Sequence, residues 1–446
     1  MTATPLRILT VLPLYGGSLP IGRYCTRALR SLGHTVECFE APEFHGAFRA
    51  LKEQRIAADR MVALENSFLQ LVAQTILAKV EHFEPDLVLA LAQAPLSRQA
   101  LQRLRRDKVT TAMWFVEDYQ VFPYWKAFAR LYDAFAVIQK EPFFGLLEEL
   151  DQRNAIYLPL AADPDIHCPR KLSAVEQRRY GSDLSFLGAG YPNRLAAFRQ
   201  FLSQDFKIWG NDWPSHGPLT PLLQRPGERI SPEEAVKVFN AAKINLNLHS
   251  SVKAEPLIPD GDFVNPRTFE LASCKAFQLV DRRGLLADLF MDDEVAVFED
   301  MEGLHDAIRH YLAHPEERQA MSRRARERVL HEHTYQHRMT TLLTFLRERL
   351  GLGQEQKQIP AQGPSALANA QGPGDLDPDQ RQSPLDELSP DLRAQVDGLL
   401  RDLNLRPSVG FDDLIWAIRQ RQGTLSELET ALLFLDAWRK QYLGER

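Results

Sequence analysis

A strand that opens into a glycine-containing loop and then a helix occurs twice in this chain, and that repeat restricts the fold more than any other feature. The first copy runs from the apolar stretch Leu6 to Leu14 through Tyr15-Gly16-Gly17-Ser-Leu-Pro into an amphipathic helix from about Ile21 to Leu32. Gly33-His34 ends that helix, and Thr35 to Phe39 reads as the next strand. The second copy is Leu184 to Leu187, the loop Gly188-Ala-Gly190-Tyr-Pro-Asn-Arg194, and a helix containing Leu195 to Leu202. Further strand candidates are Leu87–Leu91, Thr110–Val116, Ala134–Ile138, Ala155–Leu158, Phe206–Gly210, Lys243–His249 and Ala276–Val280. Helical patterns separate them, among them a long one from about Ala47 to Phe83, one from Pro232 to Ala242 and one from Glu316 to Leu350. Strands alternating with helices predict parallel sheets covered on both faces. A chain of 446 residues holds two such domains and an appendage.

Composition narrows the class. With 44% hydrophobic and 25% charged residues the chain reads as a soluble globular protein, and its net charge of −6 argues against general nucleic-acid binding. Cys25, Cys38, Cys168 and Cys274 are scattered without metal-ligand spacing or a dense disulfide pattern, which predicts a reducing compartment. No basic leader with an apolar stretch opens the sequence, and no run approaches ~18 consecutive apolar residues. A cytoplasmic protein without a membrane span is therefore expected.

In open parallel sheets ligands gather beyond the carboxyl ends of strands. Glu117 and Asp118 stand there after Trp114-Phe-Val, as general-base candidates or as caps of the next helix. Gly16 and Gly17 lack the full dinucleotide fingerprint and a Walker lysine, so they serve a tight turn or some other ligand. Gly188 and Gly190 can bring backbone N–H groups to a phosphate, with Arg194 adding charge at the helix start. Lys243 to His249 alternates polar and apolar residues, as a strand with one functional face would. His249 at its end contacts donor phosphate or sugar, or is a hydrogen-bonded structural residue. Trp209 reads as core rather than as a stacking platform, and His34 and His45 are weaker candidates in ordinary turns.

The densest chemistry lies between Asp262 and Asp281. Asn265 caps a helix whose first turn holds Pro266, and Arg267 and Glu270 are three apart on one face. A helix start with a forked cation suits a diphosphate, and a carboxylate suits sugar hydroxyls. Without their flanks, Arg267 and Glu270 could equally be a surface ion pair.

This stretch resembles the signature of group 1 glycosyltransferases of the GT-B fold, two acids separated by seven residues, here Asp262 and Glu270. Glu270-Leu-Ala-Ser-Cys-Lys-Ala-Phe matches that family's Glu-Ala-Met-Ala-Cys-Gly type of run, with Lys275 where Gly is usual and Asp262 where Glu is usual. It is more similar still to CgeB-like, or spore-maturation-protein-type, glycosyltransferases, which carry Asn-x-Arg-x-Phe-Glu here. Leu158-Pro-Leu-Ala-Ala-Asp-Pro, Trp209-Gly210, Lys243 to His249 and Asp281-Arg-Arg-Gly extend the likeness, which covers about Leu6 to Leu350.

The resemblance implies two Rossmann-like domains facing a cleft: 1–168 for the acceptor, and 169–350, with helices that cross back, for a nucleotide sugar of the UDP-sugar kind. Gly16, Gly17, Gly188, Gly190, Arg194, Lys243, His249, Asp262, Asn265, Arg267 and Glu270 would hold the donor, and Glu117, Asp118 and Glu270 would serve catalysis. A hexosyl transfer to a protein or glycan acceptor is implied, with no cofactor and no metal. The rival reading is a non-catalytic sugar-nucleotide or protein-binding module.

Residues 351–383, rich in Gln, Gly, Pro and Ala, read as a flexible linker. Beyond it, 384–446 reads as a helical interaction module: Leu425, Leu428, Leu432 and Leu435 follow 3-4-3 spacing, and Trp416 and Trp438 add bulk. Self-association or acceptor docking is its expected use.

Overall fold

The protein is described by a computed structural model, in which residues 4–225 and 228–353 are described together with 390–403 and parts of 414–433. The chain divides into two units, Met1–Gln356 and Lys357–Arg446.

The first unit holds two parallel sheets. In its amino-terminal half the chain runs β1 (Arg7–Val11), α1 (Leu19–Ser31), β2 (Thr35–Phe39), α2 (His45–Lys52), α3 (Ala58–Phe83), β3 (Leu87–Leu91), α4 (Arg98–Arg106), β4 (Thr110–Phe115), α5 (Trp125–Phe128), β5 (Ala134–Val137), α6 (Phe143–Glu149) and β6 (Ala155–Tyr157). The strands order as β2-β1-β3-β4-β5-β6, with Leu9 opposite Val88 and Val88 opposite Thr111. Every residue of β3 is buried, as continuous apolar strands between two helix layers require.

The pattern expected to be one helix from Ala47 to Phe83 is broken between α2 and α3. Phe48 packs on Phe68 with ring centroids 5.4 Å apart, so burial of that pair folds the two helices back on each other. By length and composition α3 could cross a membrane, with a mean hydropathy of 1.3 over its most apolar window. Its Val72, Ala73, Ile76, Leu77, Val80 and Phe83 are buried in this half's core, while only 22% of that apolar window is buried.

The second half contains α7 (Ala174–Tyr180), β7 (Leu184–Leu187), α8 (Pro192–Ala197), β8 (Phe206–Trp209), α9 (Pro232–Ala241), β9 (Ile244–Asn247), α10 (Pro266–Ser273), β10 (Gln278–Asp281), β11 (Ala296–Phe298), α11 (Met301–Ala313), α12 (Pro315–Glu332) and α13 (Tyr335–Leu350). Its strands order as β11-β10-β9-β7-β8, again all parallel.

α13 returns to the first half. Tyr335 packs against Tyr24 and Trp114, and the Arg338 guanidinium donates to the carbonyls of Pro159 and Leu160. Leu342, Leu343 and Leu346 then join the core that holds Ile8 and Leu29. Gly351 ends α13 in the left-handed conformation (φ 67°) that a helix C-terminus favours.

In the second unit, α14 (Pro390–Asp402) contributes Leu399 and Leu400 to an apolar cluster with Leu414 and Ile418, against which Leu428 and Leu432 pack. Leu425, Leu435, Trp416, Trp438 and nearly all of the expected linker lie outside the described residues.

Candidate active site

α10 is mounted on β9 by side-chain amides. Asn265 caps it, accepting the Thr268 N–H at 3.1 Å, and donates to Asn247 at 2.8 Å. Asn247 in turn donates to the Thr268 hydroxyl (2.9 Å) and to Gln278 (3.0 Å). Two residues earlier on the same strand, Asn245 bonds Ser185 and the carbonyls of Phe239 and Phe277. The polar face of β9 is thus a buried amide ladder that fixes α10, rather than a face turned to a ligand.

His249 continues this structural role. Its Nε2 accepts the Asn265 N–H at 3.0 Å, which places the ring proton on Nδ1, and Nδ1–H donates to Asp281 at 2.7 Å. Burial holds its pKa below the ordinary imidazole value. Both ring nitrogens are therefore used, and His249 fixes the loop before α10 instead of contacting a donor.

On α10 itself, Arg267 reaches Glu270 Oε2 through Nη1 at 2.5 Å and lies 4.6 Å over the Phe239 ring of α9. Its Nε is buried and has no hydrogen-bond partner among the described residues. The other Glu270 oxygen lies 3.8 Å from His167 Nε2. His167 Nδ1 accepts the Asp163 N–H at 3.1 Å, so Nε2 carries the proton, and Tyr24 Oη of α1 stands 3.4 Å from it. Burial lowers the pKa of His167, leaving it a neutral donor between the two halves.

The glycine loop after β7 is occupied by protein. Gly188 N–H donates to Trp209 O and Gly190 N–H to Asn211 O, both at 3.0 Å. Arg194 donates from Nε and Nη2 to Leu248 O and from Nη1 to Ala189 O. Burial pulls its pKa down to about 10. Arg194 clamps α8 to the end of β9, so the expectation that it meets a phosphate is corrected by its three carbonyl bonds. Lys243 is also set apart: it precedes β9 and pairs with Asp183 at 2.7 Å, at the amino edge of the sheet. Trp209 is core, buried against Tyr180.

Across from α10, the acidic pair is split. Glu117 accepts from Gln93 (2.6 Å) and Tyr124 (2.9 Å) within the first half, and burial raises its pKa. With both oxygens held, it supports the loop. Asp118 uses Oδ1 for the Gln120 N–H and sets its charge on Arg283 of the second half. Gln139 bridges the halves, accepting from Tyr119 N–H and donating to Asp262 at 2.9 Å. Lys140 pairs with Asp288 at 2.8 Å. Arg283 Nη1 lies 3.7 Å from Asp281 and its Nε donates to Phe263 O, while Asp262, Asp118 and Asp260 contribute negative charge from farther away. At the first loop, Arg229 donates to Gly16 O at 3.0 Å, drawing Gly16-Gly17 to the second half.

Residues 184–344 match the family model described as "Glycosyl transferase-like". Over 254 residues the chain is 27% identical to spore protein CgeB of Bacillus subtilis, covering 54% of this chain and 77% of that protein. The chain is thus similar to CgeB-like, group 1 glycosyltransferases. Solved structures share its GT-B architecture. Sucrose-phosphate synthase from Thermosynechococcus elongatus superposes with a TM-score of 0.54 at 13% identity, over 78% of this chain and 100% of that one. An Anabaena protein solved with UDP and glucose gives 0.52 at 10% identity, over 77% and 100%.

In this CgeB-like chain the structure brings Arg267, Glu270 and Asn265 together on α10, with Asp262 and Asp118 on facing loops. His167, Gln139 and Arg229 were not singled out in the sequence, although His167 lies only a few residues beyond the crossing segment that begins at Leu158, whereas Arg283 lies in the quoted Asp281-Arg-Arg-Gly turn. Nothing in their neighbours' types announces the roles. Each acts on a residue from the opposite half or from a distant loop.

Proposed function

We propose that this protein transfers a hexosyl group from a nucleotide sugar, of the UDP-sugar kind, to a protein or glycan acceptor, with the donor on the second half and the acceptor on the first. The observation that carries this is Arg267. Its guanidinium is oriented by Glu270 on one nitrogen and by Phe239 beneath, while about a quarter of the side chain stays exposed to meet a ligand. A fork held in place before a ligand arrives stabilises charge developing on a departing diphosphate without reorganising. Glu270, on the same helix, accepts from donor hydroxyls.

Asp118 is the first-half carboxylate in position to take an acceptor proton, since Glu117 is enclosed. The Anabaena structure with UDP and glucose supports the choice of donor class. The free Cys25, Cys38, Cys168 and Cys274 support a cytoplasmic setting. The C-terminal unit is assigned to acceptor docking or self-association.

The test is a thermal-shift panel of nucleotide sugars, followed by release of nucleoside diphosphate from the best binder. One UDP-sugar should raise the melting temperature, and Glu270→Gln should keep the fold while losing most turnover. Binding without release, in the presence of protein and glycan acceptors, would instead establish a sugar-nucleotide-binding module, the reading favoured by the engagement of Asp262 with Gln139 and the Phe263 N–H. If no nucleotide sugar binds, both readings fail.

A further inference from the structure

At the corner between α11 and α12, on the far edge of the second sheet, three side chains with metal-ligating atoms converge. His310 closes α11, His314 stands in the corner, and Glu317 lies in the first turn of α12. They are spaced four and then three residues apart, and the chain leaves the helical conformation at His314 (φ −118°, ψ 71°), so the corner itself brings them together. One ligand atom from each lies within 4.8 Å of the other two. Tyr311 beside them packs on Phe277, the residue before β10, with ring centroids 4.6 Å apart. The cluster therefore sits at the amino edge of the sheet, while α10 begins at the carboxyl edge.

We propose that His310, His314 and Glu317 form a binding site for a divalent transition ion of the zinc kind, separate from the transfer site. Three features carry it. First, His314 Nδ1–H donates to the His310 carbonyl at 2.7 Å, which fixes the tautomer and leaves the Nε2 lone pair free. A metal-bound histidine characteristically spends its other N–H on such a carbonyl. Second, His310 Nε2 and Glu317 Oε2 are already 2.8 Å apart, with a proton between them where an ion would sit. That proton moves to Nδ1 or to solvent when Nε2 becomes a ligand.

Third, the ligand set selects the metal. Two imidazoles and one carboxylate suit zinc, nickel or copper, whereas magnesium and calcium take oxygen ligands. Zinc lies about 2.1 Å from such atoms, so its ligands stand roughly 3.4 Å apart. His310 and Glu317 are exposed and His314 half-buried, and rotation about their side-chain bonds closes the remaining gap. Three protein ligands leave a fourth position for water or for a residue of a partner.

The ion would hold the α11–α12 corner, since binding to the folded state alone stabilises it. The probe is zinc chloride added to the full chain, free of any polyhistidine tag, followed by calorimetry and thermal unfolding. One zinc per chain is expected, with micromolar affinity and a raised melting temperature, and no response to magnesium. His310→Ala and His314→Ala should each weaken binding by roughly 100-fold, at least the cost of removing a supporting partner in a metal site. Glu317→Gln should weaken it by less, because one oxygen remains. These are surface substitutions, and far-UV circular dichroism verifies that each variant folds. Cobalt should give a visible spectrum without the thiolate charge-transfer band, which excludes the cysteines. Absence of stoichiometric binding at submillimolar zinc overturns the site, as does undiminished binding by both histidine variants. Neither result bears on the nucleotide-sugar reading, which concerns the opposite edge of the sheet.

Discussion

The two glycine loops that look alike in the sequence are used in opposite ways. After β1, Gly16 and Gly17 face open space: a methyl group built on either meets no atom within 4 Å. Tyr15 beside them is half exposed and rests on His45. After β7, Gly190 lies where a methyl group would stand 2.5 Å from Asp212 O, and one on Gly210 would stand 2.3 Å from Gly188 O. Here two backbone segments approach each other, and the missing side chains serve that contact. A glycine can admit a ligand or a neighbouring chain segment, and only the tertiary partner distinguishes the two.

The comparison breaks first at Gly210. Its φ of +121° already disfavours a side chain, and the backbone oxygen it faces cannot swing away. Gly210→Ala should therefore destabilise the protein by about 4 kcal/mol, combining backbone strain with overpacking. Urea unfolding measures this, and a loss below roughly 1 kcal/mol would show that the β7–β8 loops yield easily.

A somewhat smaller effect is expected at Arg194. Removing its side chain leaves the carbonyls of Leu248 and Ala189 short of donors in a buried setting, at about 3 kcal/mol in all. Arg194→Lys should recover little, since an ammonium cannot span the same carbonyls. Unaltered stability with lost diphosphate binding would return Arg194 to the ligand-contacting role read from its sequence.

Arg194 and His249 show where sequence reading stops. The parallel sheets are legible because apolar strands and capped helices are local patterns, and the Asn265 cap with its Arg267–Glu270 pair lies within one turn of helix. The partner of Arg194 is a carbonyl 54 residues on, and the partner of His249 is an aspartate 32 residues on. Local pattern carries no information about either. Lys243 differs, because a residue that precedes a strand stands at the amino edge of a parallel sheet, and its exclusion from the site follows from topology alone. The His167–Glu270 approach depends on how the crossing segment packs on α10, which no periodicity encodes.

Arg267 sharpens the comparison from the ligand's side. Unlike Arg194, it is about a quarter exposed, and its buried Nε has no hydrogen-bond partner among the described residues. Arg267→Ala should lower stability by about 2 kcal/mol, because the buried Glu270 carboxylate loses its cation, and should weaken nucleoside diphosphate binding by about 2 kcal/mol, the worth of one charge-assisted contact. Calorimetry with the diphosphate and the bare nucleoside decides it. Equal losses for both would remove the phosphate role.

The smallest effect on the fold, and the most informative about the first loop, is expected at Gly17. Its φ lies outside the positive region that strains a side chain, and open space surrounds it. Gly17→Ala should thus alter stability by less than ~0.5 kcal/mol, as surface substitutions do. Gly17→Leu should fold equally well yet place a bulky side chain in the loop that Arg229 draws toward the second half. If that openness admits the donor, the leucine variant should weaken nucleoside diphosphate binding by roughly tenfold, about 1.4 kcal/mol, with no change in the unfolding midpoint. Unchanged affinity in both variants would mean that Gly16 and Gly17 serve only the turn into α1, and the two loops would then differ in their packing alone and not in their use.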